Sequence, residues 1–372
     1  MRRRTRRALT ALTALLVATT LAGAVPAQAD PLPEIEPTVT ATVWAHAPTT
    51  AEYRPSWGYT ATNTDGGVLI RRTGTGAYTV VLEQAPARGG VAHVVAYGGG
   101  PVFCTVAGWY RSLVAPDLLI QVRCFAATGT PVDSRFVATY SNARWTGDGR
   151  FAWFVTDQAA PVGLRTLAAT YRYDSTGGEV RYERLGTGHY RFHMNYRYDY
   201  SFPMVHVTAV GSTGVHCQVG PPDLWYVWCR NAAGNPVDAR FAVTYGNRVD
   251  LLGYATAPRF HTGVIYGEQA PDTGIGGEAW NSTLPGFGGD AVYHLGAGRY
   301  EVRITGTGTA FGTAFVDDFR TEHRPGPNGY CVVADWSRSG INDTIVNVRC
   351  YAYGGGPANI NARVSYTTWP AA

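Results

Sequence analysis

The feature that most constrains the fold is a unit of roughly 110 residues that occurs three times. Each copy contains a G-x-G-x-Y segment, whose last residues are Tyr78, Tyr190 and Tyr300. Each copy then has one pair of cysteines and closes on a proline nine residues before a tyrosine. Recurrence of the same landmarks in the same order indicates internal repeats. The sequence therefore predicts three related domains of ordinary size.

Local patterning predicts strands in every copy. Apolar or aromatic residues alternate with other residues after each G-x-G-x-Y tyrosine, as in Tyr78, Val80 and Leu82. We expect an all-β fold of three tandem β-sandwich domains, jelly-roll or Ig-like. Their predicted boundaries are 42–142, 147–247 and 259–369. One fused three-fold structure is the alternative, which we favour less because each copy has its own cysteine pair.

The six cysteines predict one disulfide in each copy. In copy one, a strand leads away from the first cysteine and another returns to the second, as in a hairpin. Six cysteines allow fifteen pairings, and the repeat selects one of them. The predicted disulfides join Cys104 to Cys124, Cys217 to Cys229 and Cys331 to Cys350. Without a C-x-x-C pair or matching histidines, we expect no metal and no cofactor.

The N-terminus predicts export. Residues 1–29 have a basic tip, an apolar stretch and a small-x-small end at Ala27 and Ala29, as in a secretory signal. Residues 30–41 would then form an N-terminal linker, and no stable membrane insertion is expected after processing. Five of the 31 basic residues lie in the tip, leaving 26 against 27 acidic ones. A body so nearly neutral does not favour nucleic-acid binding. We expect a secreted, extracellular protein.

The motifs resemble those of actinobacterial exported proteins built from tandem β repeats of unassigned function. The resemblance rests on the G-x-G-x-Y strands, the single cysteine pair in each repeat and the P-V-D-x-R-F endings at 131–136 and 236–241. Copy three departs from it at 357–362, where the Asp and the Arg are both lost. The resemblance implies this fold and export, and it implies no activity.

Copy two carries aromatic residues where the other copies are polar. Tyr226 and Trp228 stand where copy one has Gln121 and Arg123. The candidate ligand-binding residues are Tyr196, Tyr198, Tyr200, Tyr226 and Trp228. Exposed aromatic side chains suit the stacking of sugars or a protein partner. Packing against a neighbouring repeat is the alternative.

Other candidate groups favour structural roles. Asp317 and Asp318 are the best acidic pair, but neighbours in a strand should point to opposite faces. Asp133 with Arg135, and Asp238 with Arg240, are expected to form solvated ion pairs within a strand. His93 and His206 occupy equivalent positions, which favours structure over catalysis. No catalytic residue is predicted.

The leading hypothesis is therefore a secreted, non-enzymatic protein that binds an extracellular polysaccharide or a surface protein. Two alternatives stay open. A hydrolase would carry its active site on the divergent segments 274–290 and 314–328, with Asp317 and Asp318 as candidates. A protease inhibitor would present the loop 220–224.

Overall fold

The structure is a computed structural model of the chain. It describes residues 37–144, 149–195, 204–220, 225–253, 260–265, 279–281, 291–306, 312–319, 328–340 and 343–368. These residues form strands and two single 3-10 turns at Trp57–Tyr59 and Ala169–Tyr171. No helix in these ranges has the length and apolar character needed to cross a bilayer. The predicted leader, 1–29, lies outside the described residues.

The strands fall into three groups that follow the repeats. Repeat 1 contains β1 Thr40–Ala45, β2 Glu52–Tyr53, β3 Thr60–Thr62, β4 Val68–Gly74, β5 Ala77–Leu82, β6 Val91–Tyr97, β7 Val102–Arg111, β8 Leu118–Ala126 and β9 Arg135–Ser141. Repeat 2 contains β10 Arg150–Val155, β11 Arg165–Thr166, β12 Arg172–Asp174, β13 Arg181–Gly186, β14 His189–His193, β15 Met204–Val210, β16 Val215–Val219, β17 Tyr226–Asn231 and β18 Arg240–Asn247. Repeat 3 contains β19 Phe260–Ile265, β20 Ala279–Asn281, β21 Ala291–Gly296, β22 Arg299–Ile304, β23 Gly312–Asp318, β24 Gly329–Ser339, β25 Asp343–Ala352 and β26 Ala362–Thr368.

Each repeat is a two-sheet sandwich, which confirms the predicted fold class. In repeat 1 one sheet has the order β3-β1-β9-β6 and the other the order β2-β4-β5-β8-β7. Alternate residues of both sheets, such as Val80 and Val94, point into a shared core. The predicted strands after the G-x-G-x-Y segments are β5, β14 and β22.

The three disulfides form within the repeats, which confirms the predicted pairing. Each joins two cysteines that face each other across one antiparallel strand pair, β7 with β8, β16 with β17 and β24 with β25. The bonds are Cys104 to Cys124, Cys217 to Cys229 and Cys331 to Cys350. The second cysteine of each pair also donates its backbone amide to the carbonyl oxygen of the second G-x-G-x-Y glycine, at 2.7 to 2.8 Å. The disulfide and the glycine turn therefore support each other.

The sheets also continue from one repeat into the next. Strand β7 of repeat 1 runs parallel to β15 of repeat 2, and β24 of repeat 3 runs parallel to β6 of repeat 1. A parallel bridge between Val219 and Phe319 joins repeats 2 and 3 in the equivalent way. The three sandwiches thus form a closed cycle with three equivalent junctions. Each repeat has its own disulfide, and the sheets of neighbouring repeats are also joined. The structure therefore combines the two predicted architectures, three tandem sandwiches and one fused three-fold structure.

The recurring motifs form a latch inside each repeat. Gly76 has a φ of 62°, and a Cβ there would lie 2.5 Å from the carbonyl oxygen of Cys124, so glycine is required. Asp133 accepts hydrogen bonds from the Gly76 amide at 2.9 Å and the Tyr78 hydroxyl at 3.2 Å. It also forms an ion pair with Arg72 at 2.8 Å. This contact holds the pKa of Asp133 below its ordinary value.

The expected ion pairs within the strand are therefore wrong. Asp238 pairs with Arg184 at 2.8 Å, just as Asp133 pairs with Arg72. In repeat 3 both partners change together, because Asn359 replaces the aspartate and His294 replaces the arginine. His294 Nε2 lies 3.1 Å from Asn359 Oδ1, which also accepts from the Gly298 amide at 2.9 Å. The latch of repeat 3 thus keeps the bond to the glycine amide but has no carboxylate–guanidinium ion pair.

His93 and His206 lie at the centre of the cycle. His93 Nδ1 lies 2.9 Å from the Thr208 hydroxyl, and Nε2 lies 2.8 Å from the Thr244 hydroxyl, so this ring joins repeat 1 to repeat 2. His206 Nε2 lies 2.7 Å from the Ser365 hydroxyl of repeat 3. Phe315 occupies the equivalent position in repeat 3. Burial lowers the pKa of His93 to about 3, so the ring is neutral.

Candidate functional site

A cleft of about 430 Å³ opens at the junction of repeats 1 and 2. Repeat 1 supplies residues 87–90, residues 108–111 and Leu118. Repeat 2 supplies the rest of the lining, which is Val155, Thr170, Tyr171, Val210 and Arg240. The volume falls in the range of small-molecule and sugar-sized sites, which favour boundaries between domains.

Aromatic side chains form part of the cleft wall. Trp109 is half-buried, and its indole Nε1 donates a 3.0 Å hydrogen bond to the carbonyl oxygen of Gly89. Tyr110 and Tyr171 are 49% and 39% exposed, which is unusual for such large rings. Exposed ring faces of this kind can stack on the apolar face of a sugar.

Three arginines give the cleft a positive charge. They are Arg88, Arg111 and Arg240. Arg240 is oriented by a 2.8 Å hydrogen bond from its Nε to the carbonyl oxygen of Thr156. Within the described part of the chain, none of the three has a carboxylate within ion-pair distance. Their guanidinium groups are therefore free to bind an anion, which they can do in a bidentate manner.

Two backbone features set the shape of the cleft. Strand β7 has a bulge between Val106 and Gly108, which shifts the register of the residues that follow it. Gly90, which also lines the cleft, has a φ of 71°, and a Cβ there would lie 2.5 Å from the Tyr140 hydroxyl oxygen. The Tyr140 hydroxyl itself donates to the carbonyl oxygen of Gly89 at 3.0 Å. The glycine turn is thus held against β9 and leaves room for a ligand.

Comparison with the junction of repeats 3 and 1 explains why the cleft is open. There the equivalent positions are filled by aromatic rings with centroids 4.5 to 5.2 Å apart, namely Trp44, Tyr59, Tyr97 and Trp336. At the junction of repeats 1 and 2, Val155 stands in place of Trp44 and Val210 in place of Tyr97. Two valines where the other junction has large rings leave the space empty. The equivalent stretch of the third junction includes 221–224, outside the described residues.

The predicted aromatic candidates are only partly covered by the structure. Tyr226 and Trp228 are half-buried in β17, on the sheet face opposite the core of repeat 2. The His189 ring stacks on Trp228, with centroids 5.2 Å apart and planes 11° apart. Neither residue lines the cleft between repeats 1 and 2. Tyr196, Tyr198 and Tyr200 lie outside the described residues.

The predicted cysteines are core residues and do not belong to the cleft. Cys229 is fully buried in the core of repeat 2, and Cys350 is buried in the core that includes repeat 3. Cys124 is likewise fully buried in repeat 1. Since all six cysteines are disulfide-bonded, none offers a thiol for catalysis or for a metal.

The hydrolase and protease-inhibitor alternatives also depend largely on residues that the structure does not describe. The loop 221–224 and most of 274–290 and 314–328 fall outside the described residues. Asp317 and Asp318 are described, and the expectation that they point apart is wrong. One carboxylate oxygen of each lies within 4.8 Å of the other and of an imidazole nitrogen of His216.

Sequence reasoning missed the cleft because its residues come from two repeats. The available signal was the run Trp109, Tyr110 and Arg111 at the end of a strand, where three large side chains are adjacent and cannot all be buried. Comparison of the chain with protein-family models, curated proteins and solved structures found no match. The chemistry of the site therefore carries the functional argument.

Proposed function

We propose that the protein is a secreted, non-enzymatic binding protein that takes an acidic polysaccharide into the cleft between repeats 1 and 2. The observation that carries this proposal is the combination of exposed tyrosines with three arginines that have no carboxylate partner among the described residues. Tyrosine rings stack on sugar faces, and guanidinium groups bind sugar carboxylates. A neutral glycan could stack on the tyrosine rings but would offer no anion to the arginines.

Binding rather than hydrolysis fits the composition of the cleft. None of its fourteen lining residues is Asp, Glu, His or Cys. Glycoside hydrolysis commonly uses two carboxyl groups that flank the scissile bond. The lining therefore supplies cations and aromatic rings but no carboxyl group for such a reaction.

Export is supported by the disulfides and by the leader. The three disulfides are typical of proteins from an oxidising compartment. The resemblance to exported tandem-repeat proteins and the predicted signal at 1–29 agree with that setting. An extracellular protein meets polysaccharides bearing uronic acids, which are ligands of the required charge.

The test is retention of the mature protein on immobilised polygalacturonate, with neutral amylose as the comparison. We expect retention on the acidic polymer that weakens with added salt, because exposed charge contacts are screened. Removing Arg88 or Arg111 by alanine substitution should weaken binding by a factor of about 1.4 to 5 each, as expected for exposed ion pairs worth about 0.2–1 kcal/mol. Arg181, an exposed arginine on another sheet, provides the matched alanine control.

A second variant closes the cleft with side chains that this fold already accommodates. Val155→Trp combined with Val210→Tyr copies the junction of repeats 3 and 1 and should abolish retention without loss of folding. Trp228→Ala tests the aromatic candidates of repeat 2 in the same assay. Equal retention of the closed variant and the wild type would refute the cleft as the binding site. Loss of binding in Trp228→Ala alone would show that the ligand binds at β17 and not in the cleft.

A further inference from the structure

A polar cluster lies at the junction of repeats 2 and 3, away from the cleft. It consists of His216 in β16 and of Asp317 and Asp318 at the end of β23. His216 Nε2 lies 2.6 Å from Asp318 Oδ1. Asp317 accepts a hydrogen bond from the backbone amide of Val207. Both aspartates are almost fully buried, so two carboxylates share a site with little water.

The fold does not need this cluster, because the other two junctions are built without it. The positions equivalent to His216 hold Phe103 and Tyr330, and those equivalent to Asp318 hold Ala96 and Ala209. The position of Asp317 is Val95 in repeat 1 and Thr208 in repeat 2. Burial of a carboxylate is costly unless it is paired. Three ligand-type residues replacing mostly apolar ones at a single junction therefore indicate a local role.

Two buried polar atoms at the cluster lack a partner. Asp318 Oδ2 has no hydrogen-bond donor among the described residues, although its side chain is fully buried. The fully buried His206 directs Nδ1 towards Asp317 Oδ2 at 3.8 Å, beyond hydrogen-bond range, and that nitrogen has no other partner in the described chain. Asp318 Oδ2 and His206 Nδ1 are thus available to bind a ligand.

Space for a small ligand adjoins two members of the cluster, His216 and Asp317. A cavity of about 20 Å³ is lined by His216 and Asp317 and by apolar neighbours that include Phe103 and Phe315. A water-sized sphere needs about 10–15 Å³ by the same measure. The cavity therefore holds a single water or ion and excludes any organic ligand.

We propose that His216, Asp317 and Asp318 bind one divalent first-row transition-metal ion, for which Zn²⁺ is the probe. One imidazole nitrogen and two carboxylate oxygens are a donor set that Zn²⁺ accepts. Tetrahedral ligands at about 2.1 Å from the metal lie about 3.4 Å from one another. The ligand atoms already lie within 4.8 Å of one another, so shifts of about 1 Å complete the geometry. Strong preference for Ca²⁺ is not expected, since an imidazole is a poor ligand for that ion.

The ion would hold repeat 3 against repeat 2. Its ligands come from both repeats, so binding links them beside the bridge of Val219 and Phe319. The other two junctions are joined within continuous sheets. A bound cation would compensate the negative charge of two buried carboxylates.

The experiment measures metal content and thermal unfolding of the full mature chain. Protein dialysed against Zn²⁺ and then against buffer should retain one zinc per chain by elemental analysis. Its unfolding temperature should rise with Zn²⁺ and fall on treatment with a chelator. Asp318→Ala and His216→Phe reproduce residues of the other junctions and should fold, while their zinc content falls from one to below about 0.2 per chain.

Glu183→Gln serves as the matched control. Glu183 also lies beside a histidine, with its Oε1 3.2 Å from His193 Nε2, but both side chains are partly exposed. This variant should keep the zinc and the temperature shift. Wild-type protein without retained zinc and without a shift would overturn the proposal. Zinc retained equally by Asp318→Ala and His216→Phe would also overturn it, as would retention of Ca²⁺ in place of Zn²⁺.

Discussion

The buried histidine at the centre of the cycle makes folding stability depend on pH. His93 is fully buried between repeats 1 and 2, and its ring nitrogens contact only the hydroxyls of Thr208 and Thr244. Replacement of His93 by Phe together with Thr208→Val removes the titrating ring. This pair of substitutions copies the junction of repeats 3 and 1, where Phe315 is the equivalent residue and Val95 takes the place of Thr208. The variant therefore tests titration with a packing that the fold already uses.

The expected magnitude follows from the pKa values of the two states. Burial lowers the pKa of His93 from 6.5 to about 3 in the folded protein. His93 of the unfolded chain becomes protonated below about pH 6.5, whereas His93 of the folded protein stays neutral down to about pH 3. The contribution of His93 to the free energy of unfolding is therefore fully present above pH 6.5 and is lost as the pH falls towards 3. Each pH unit in this window costs about 1.4 kcal/mol. Between about pH 7.5 and pH 5, His93 should thus reduce the free energy of unfolding by about 2 kcal/mol.

Urea unfolding followed by tryptophan fluorescence provides the assay, with the disulfides intact and the same ionic strength at both pH values. The difference between about pH 7.5 and pH 5 should be about 2 kcal/mol smaller in the double variant than in the wild type. The other titrating groups are common to both proteins, and burial, the main cause of the lowered pKa of His206, is the same in both, so their contributions cancel in this comparison. An unchanged pH dependence would refute the conclusion that His93 is neutral in the folded state.

Two further predictions concern the latch and the disulfides. Arg72→His with Asp133→Asn copies the latch of repeat 3, which has no carboxylate. Because the pKa of Asp133 is lowered in the folded state, its contribution is present above the unfolded pKa and lost on acidification. Urea unfolding of the double variant should therefore lose less stability than the wild type between about pH 5 and pH 2, and an equal loss would contradict the latch. Replacing each cysteine pair by alanine should cost about 3 kcal/mol, because the cross-linked separations of 20, 12 and 19 residues are similar. A peptide map under non-reducing conditions that links two repeats, for example Cys229 to Cys350, would contradict the pairing.

Features that repeat in the sequence were predictable, and each has a local cause. The second glycine of the G-x-G-x-Y segment needs a positive φ, the strand that follows has period-two patterning, and the cysteines face each other across one hairpin. These requirements are met within one copy, so the same residues recur in all three copies and can be recognised in the sequence. The partner of Asp133 was not predictable in this way. Arg135 is close in sequence, yet hairpin pairing of β4 with β5 brings Arg72 to the carboxylate.

Features of the junctions were not predictable, because they join residues that belong to different repeats and are far apart in the chain. The cleft needs Tyr110 of one repeat and Arg240 of the next. The polar cluster needs His216 beside Asp318, and the alternation rule for a single strand places the two aspartates apart. Local patterning describes the direction of a side chain within its own sheet. It does not describe which neighbouring repeat that side chain meets.

Comparison of equivalent positions in the three repeats distinguishes residues that serve folding from residues that serve function. At each position the three copies experience nearly the same backbone, so a residue shared by all three is explained by the fold. A residue that departs at one junction has no such explanation. Two of the departures at the junctions coincide with the proposed sites. Val155 and Val210 open a cleft that Trp44 and Tyr97 close elsewhere, and His216 with its two aspartates replaces apolar side chains. If these departures were neutral drift, restoring the residues of the other junctions would change neither ligand retention nor metal content. Stability alone cannot make this distinction, because the restored residues are those that the fold already packs well.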